Sequence, residues 1–147
     1  MENKVRSIDI LLVEDSPDDV ILTREAFAES KILNELYVVE DGVEAMKFLN
    51  REEEYEQVPI PDLILLDLNL PKKSGIEVLE EIKNQEKLKK IPVVVLTTSK
   101  AEEDIIRSYD LHANCYITKP VDLDKFINIV KSLTDFWFSV VTLPGGE

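Results

Sequence analysis

The sequence predicts an α/β fold: a parallel five-stranded sheet with helices wound over both faces. Three observations predict it. Short apolar runs alternate with longer stretches of helical periodicity along the whole chain. The runs are apolar at successive positions, not at every second one, as strands buried on both faces require. Each run gives way to polar or loop-forming residues, among them Glu14-Asp15, Asp41-Gly42, Asp67 with Asn69, Thr97-Thr98 and Thr118-Lys119-Pro120.

The first strand is predicted over Ile8 to Val13. Ser16 then suits an N-cap, Pro17 the first helical position, and Asp19 the place of a capping-box acid. The helix runs on through Val20, Arg24 and Phe27. Leu36 to Val39 is the second strand, closed by the Asp41-Gly42 turn signal. Val43 to Asn50 is helical, with Ala45, Met46 and Leu49 on one face. Arg51 to Val58 is charged and reads as a solvated helix end and loop. Leu63 to Leu66, flanked by Pro61 and Pro71, is the third strand, and it runs straight into Asp67. Ile76, Leu79 and Ile82 mark a third helix that ends among the charges of Glu86 to Lys90.

Pro92 opens the fourth strand, Val93 to Leu96, with Thr97, Thr98 and Ser99 at its carboxyl end. Ile105, Ile106 and Tyr109 mark a fourth helix. Cys115 to Ile117 is a short fifth strand. Leu123, Phe126, Ile127, Val130 and Leu133 form the apolar stripe of a last helix. The chain of 147 residues suits one domain, with no internal repeat or linker.

Alternating strands and helices at this size fit a flavodoxin-like, doubly wound sheet of order 2-1-3-4-5. That order sets the ends of strands one and three side by side. Glu14, Asp15 and Asp67 then converge where open α/β sheets place their ligands. Thr97 and Lys119 end the two neighbouring strands on the same rim.

The formal net charge is -13, which disfavours nucleic acid or an anionic membrane as a direct partner. No apolar run is long enough to span a membrane, and no signal-peptide core follows Glu2, Lys4 and Arg6, so a cytoplasmic location is expected. A lone cysteine, Cys115, excludes an internal disulfide and any multi-cysteine metal site. A lone histidine, His112, leaves little scope for histidine chemistry.

Three crowded carboxylates repel one another unless a cation sits among them. An oxygen-only donor set suits a hard ion, and Mg²⁺ best fits phosphate chemistry. Lys119 supplies a compact positive charge for a phosphoryl oxygen or a carboxylate. Thr97 supplies a hydroxyl donor. Asp67, at the centre, is the candidate nucleophile, and carboxylates of this kind form aspartyl phosphates. Each residue alone has a plainer reading. Glu14 and Asp15 suit the acidic opening of a helix, Thr97 a strand, and Lys119 a solvated surface.

In combination these residues resemble the receiver domains of two-component response regulators. The motifs are Leu12-Val13-Glu14-Asp15, Leu65-Leu66-Asp67-Leu68-Asn69-Leu70-Pro71 with Gly75, Leu96-Thr97-Thr98, and Tyr116-Ile117-Thr118-Lys119-Pro120. All four fall in order, each at a strand end. The resemblance implies that Asp67 is phosphorylated from a histidine of a sensor histidine kinase. It implies that Glu14, Asp15, Asp67 and the backbone carbonyl of Asn69 bind Mg²⁺. It further implies that Thr97 and Tyr116 form a conformational switch, that Lys119 contacts the phosphoryl group, and that the bond from Lys119 to Pro120 is cis. Such a protein is a phosphoacceptor, with only self-catalysed phosphorylation and dephosphorylation. Asn69 and Ser99 occupy the positions that tune phosphoryl lifetime in receivers.

The run Leu66 to Lys73, the segment Leu111 to Tyr116 and the tail Phe136 to Pro144 resemble stand-alone receivers that partner bacterial phytochrome histidine kinases. Residues 1–147 are therefore expected to be one receiver domain with an apolar extension over 134–147 and no output domain. That extension either folds back over the domain or makes a docking or dimer surface; the resemblance favours a homodimer. Other function classes fit less well. An aspartyl-phosphate hydrolase of the haloacid dehalogenase type needs a second Asp where Asn69 stands. A flavodoxin needs a hydroxyl- and glycine-rich loop where Glu14-Asp15-Ser16-Pro17 stands. A phosphorylation-independent scaffold has no need of the acidic pair or Lys119. His112 reads as a turn residue and Cys115 as a small buried hydrophobe.

Overall fold

The computed structural model describes residues 7–30, 33–70, 72–97 and 115–118, with 124, 125, 128 and 132. Strands β1 (Ile8–Val13), β2 (Asn34–Val39), β3 (Leu63–Asp67), β4 (Val93–Thr97) and β5 (Cys115–Thr118) form one sheet in the order β2-β1-β3-β4-β5. Every neighbouring pair is parallel. The predicted order is the observed one. Helices α1 (Pro17–Ser30), α2 (Gly42–Leu49) and α3 (Gly75–Lys83) are the crossovers described. The predicted fourth helix around Ile105, Ile106 and Tyr109 lies outside the described residues, as do Ser99, His112, Lys119, Pro120 and the extension over 134–147. Of the last predicted helix, Asp124, Lys125, Asn128 and Ser132 are helical and exposed, and they fall between the positions of its apolar stripe.

The unbroken apolar runs are explained by where alternate side chains go. Leu11, Val13, Ile64, Leu66, Val93 and Val95 point to one face, beneath Ala45, Met46 and Leu49 of α2 and Val78, Leu79 and Ile82 of α3. Ile10, Leu12, Leu63, Leu65, Val94 and Leu96 point to the other, where Ala26 and Phe27 of α1 cover them. A strand with a core on each side has no polar positions to alternate. Each such Leu, Ile or Val stabilises the fold by roughly 1.5–3 kcal/mol on burial.

Register is pinned at the amino end of the sheet. The Asp9 amide donates to Oδ2 of Asp62 at 2.8 Å, and the Asp62 amide donates to the Asp9 carbonyl at 2.7 Å. Just beyond this reciprocal pair, Ile10 faces Leu63. A slip of one residue would exchange the two faces of β3.

Several boundaries differ from those expected. Strand β2 starts at Asn34, because Asn34 and Glu35 pair with Ile8 and Asp9 despite their polarity. Helix α2 runs from Gly42 to Leu49, with Asn50 as its C-cap. Helix α3 stops at Lys83, where the Asn84 amide closes it onto Glu80, and does not reach Glu86. The charged stretch after α2 holds a 3-10 turn, Glu53–Tyr55. The Tyr55 ring packs on Phe48 and its hydroxyl donates to Oε1 of Glu44 at 2.6 Å.

Candidate functional site

The site is a product of strand register. Val13 faces Leu66, and Leu66 faces Val95, so Glu14 and Asp67 leave β1 and β3 at the same level. Asp67 is itself the last residue of β3. Both side chains are buried, Glu14 to 1% and Asp67 to 2% exposure, while Asp15 is exposed. Glu14, Asp15 and Asp67 each offer a carboxylate oxygen, and these lie within 4.8 Å of one another. At that spacing two buried negative charges repel by roughly 3–4 kcal/mol at an effective dielectric near 20, and less where one faces solvent. A divalent cation removes this repulsion, and carboxylate oxygens are the donors a hard cation prefers.

Local hydrogen bonds fix the two buried carboxylates, Glu14 and Asp67. Oε2 of Glu14 accepts from the Ser16 amide at 3.2 Å. Oγ of Ser16 accepts from the Asp19 amide at 3.3 Å, which is the predicted N-cap of α1. Oδ1 of Asp67 accepts from the Asn69 amide at 2.9 Å. The Leu68 amide donates to the Leu96 carbonyl at 3.1 Å, extending the ladder one step past the strand. Asn69 then turns out to solvent.

Helix α3 begins almost on top of this loop. A Cβ on Gly75 would stand 2.5 Å from the Asp67 carbonyl oxygen and from Cα of Leu68. Only glycine lets the chain return so close. Ser74 caps α3 through a complete capping box with Glu77.

The remaining predicted residues divide into two groups. Thr97 is fully buried as the last residue of β4, one step beyond the Asp67–Leu96 pair and level with Thr118. Tyr116 lies in β5 opposite Val95. Lys119, the next residue but one after Ile117, is outside the described residues. An open cleft of about 360 Å³ flanks the carboxylates between α1 and β2, lined by Pro17, Val20, Ile21 and Val38.

Three neighbours of the site were not singled out as functional by sequence reasoning. Asp41 is buried and caps α2, accepting from the Glu44 amide at 2.8 Å through Oδ1. Its Oδ2 lies 3.4 Å from Nζ of Lys72 in the loop after Asp67. Gly42 packs directly on the backbone of Lys73. The spacing of Asp41 and Glu44 is an N-terminal helix signature and could have marked the cap. The contact with Lys72 has no local signal.

The family of response regulator receiver domains matches residues 10–131. Response regulator Rcp1 of Synechocystis sp. is 55% identical over 135 residues, covering 92% of this chain and 92% of that protein. The crystal structure of the phosphorylated cyanobacterial phytochrome response regulator RcpA superposes with a TM-score of 0.78 at 55% identity, over 95% of this chain and 99% of that one. The Mn²⁺-bound form of Rcp1 superposes with a TM-score of 0.76 at 54% identity, over 93% and 99% of the two chains. Sheet order, the converging strand ends and these alignments along nearly the whole sequence agree, and the chain belongs to the response regulator receiver domain family.

Proposed function

We propose that Asp67 accepts a phosphoryl group from a phosphohistidine of a sensor histidine kinase, and that occupancy of Asp67 is the signal. A phosphoryl-acceptor role is the one expected for the family, whose members are signalling proteins and not turnover enzymes. The observation that carries the assignment is the convergence of the Glu14, Asp15 and Asp67 carboxylates at two adjacent strand ends. In the transfer, a carboxylate oxygen of Asp67 forms a bond to phosphorus as the P–N bond breaks and imidazole leaves.

Glu14, Asp15, Asp67 and the Asn69 carbonyl are the residues we assign to a divalent cation, Mg²⁺ by the chemistry of the donor set. Held by these residues, a cation would supply positive charge to phosphoryl oxygens. Mn²⁺ occupies the related Rcp1. Lys119 is assigned to a phosphoryl oxygen, and Thr97 and Tyr116 to the switch. Thr97 stands buried at the end of β4, so its movement toward an added phosphoryl group opens space behind it.

The relatives point to a phytochrome kinase as the donor, since RcpA is described as a phytochrome response regulator. We assign residues 1–147 to one receiver domain with an extension over 134–147, and the signal to a change in partner binding or onward phosphoryl transfer. We assign the protein to the cytoplasm; no helix among the described residues is long and apolar enough to cross a membrane. The extension, with Phe136, Trp137 and Phe138, is assigned to homodimerisation. Nucleic acid is not an expected partner at a net charge of -13.

Phosphotransfer from an autophosphorylated phytochrome histidine kinase tests the donor. Label passes to the chain within minutes and fails to pass to Asp67→Asn. Label that stays on a kinase competent toward another receiver contradicts the assignment. Gel filtration of the chain truncated after Thr134 tests the dimer: an unchanged dimer rules out the extension as its interface.

A further inference from the structure

Helix α2 contributes no ligand to the acidic site, yet it grips the loop that follows Asp67 at two points. Oδ2 of Asp41 meets Nζ of Lys72 at 3.4 Å while Oδ1 caps α2. One residue on in each segment, a Cβ on Gly42 would stand 2.0 Å from the Lys73 carbonyl oxygen, so the two backbones touch. Lys72 has φ of 65°, in the left-handed region that a lysine does not favour. A non-glycine residue keeps such a conformation only where its surroundings hold it. Among the described residues, Asp41 meets Lys72 itself, while Gly42 and Glu81 hold Lys73 beside it.

We infer that Asp41 and Lys72 are positioning residues for the cation and phosphoryl chemistry at Asp67. The inference rests on the phosphoacceptor reading of the acidic site. The path is short. Lys72 lies three residues beyond Asn69, and the Asn69 amide is bonded to the Asp67 carboxylate. A loop fixed at Lys72 presents the Asn69 backbone and the Asp67 carboxylate in one geometry; a loop freed there samples several. Lys72 is 68% exposed at its side chain, so the pair acts by limiting the conformations of the loop and adds little to global stability.

Coulomb's law alone predicts a different pattern. Lys72 is a positive charge in the loop that follows Asp67, so Lys72→Gln should tighten cation binding if charge is all that matters. Positioning predicts the opposite. Mg²⁺ binding to the full chain by titration calorimetry, without any phosphodonor, separates the two. Lys72→Gln weakens Mg²⁺ affinity by about threefold, the scale of an exposed ion pair. Lys72→Arg retains wild-type affinity. Asp41→Asn still caps α2, since Asn and Asp cap equally well, and weakens Mg²⁺ by a similar factor. The double variant loses no more than either single one, as for a pair acting as a unit. Phosphoryl uptake from acetyl phosphate slows in these variants at low Mg²⁺ and recovers at saturating Mg²⁺. Wild-type or tighter Mg²⁺ binding in Lys72→Gln overturns the inference. Asp67→Asn in the same titration separates the two levels. If it abolishes binding while Lys72→Gln does not weaken it, positioning alone fails; if it leaves binding intact, the acidic-site reading fails too.

Discussion

The amide of Asn69 donates to Oδ1 of Asp67 across 2.9 Å. The loop beyond β3 and the carboxylate at its end therefore move together. An asparagine at position 67 can accept the same bond through its amide oxygen, so Asp67→Asn keeps the loop while removing the proposed nucleophile. Far-UV circular dichroism and the urea midpoint of Asp67→Asn in chelator should match a folded chain. Loss of the cooperative transition would show that the charge itself is needed for folding.

Crowding of Glu14, Asp15 and Asp67 within 4.8 Å makes the metal-free protein less stable than it need be. Binding a cation to the native state alone raises stability by mass action. Mg²⁺ should raise the thermal midpoint of the wild type. Asp15→Asn should melt higher than the wild type in EDTA, because one repelling charge is gone, and should gain less from Mg²⁺. Identical midpoints for the two proteins in EDTA would remove repulsion as a factor.

Gly75 is required by space, not by backbone conformation. The 2.5 Å approach of a Cβ to the Asp67 carbonyl and Leu68 Cα cannot be relieved by a side-chain rotation, since both are backbone atoms. Gly75→Ala should cost about 2–3 kcal/mol in urea unfolding. It should also lower phosphoryl uptake, because the displaced atoms carry Asp67. Near-neutral stability with full uptake would contradict this packing.

Burial pushes the Tyr55 hydroxyl far above the usual tyrosine value of 10.0, and its bond to Glu44 adds to the shift. Tyr37 is shifted the same way, first by burial and then by Asp9 and Glu35. The folded state thus holds these protons more tightly than the unfolded chain. The associated stability is complete below pH 10 and is lost as pH rises above it toward the folded-state values. Tyr55→Phe should cost about 1 kcal/mol at neutral pH for the lost hydrogen bond. It should also flatten the alkaline decline, measured as urea midpoint against pH. An unchanged slope above pH 10 would place the titrating groups elsewhere.

Sheet order and the three carboxylates were legible because β1, β3 and β4 are buried on both faces, and burial writes an unmistakable apolar run. The start of β2 was not, since Asn34 and Glu35 pair at an edge where polar side chains reach solvent. The 3-10 turn at Glu53–Tyr55 is held by the Tyr55 bond to Glu44 and the Phe48 ring, contacts that leave no periodicity. Asp41 with Lys72 was hidden for a related reason. The two sit in separate loops, and lysine is a residue from which no one would read a left-handed turn.

If Asp67 is the phosphoacceptor, its phosphoryl uptake should depend on a divalent cation. Intact mass after incubation with Mg²⁺ and acetyl phosphate measures this directly. The wild type should gain one acid-labile phosphoryl group, with no gain in EDTA and none in Asp67→Asn. An unmodified wild-type chain, or an equal gain in Asp67→Asn, would contradict it.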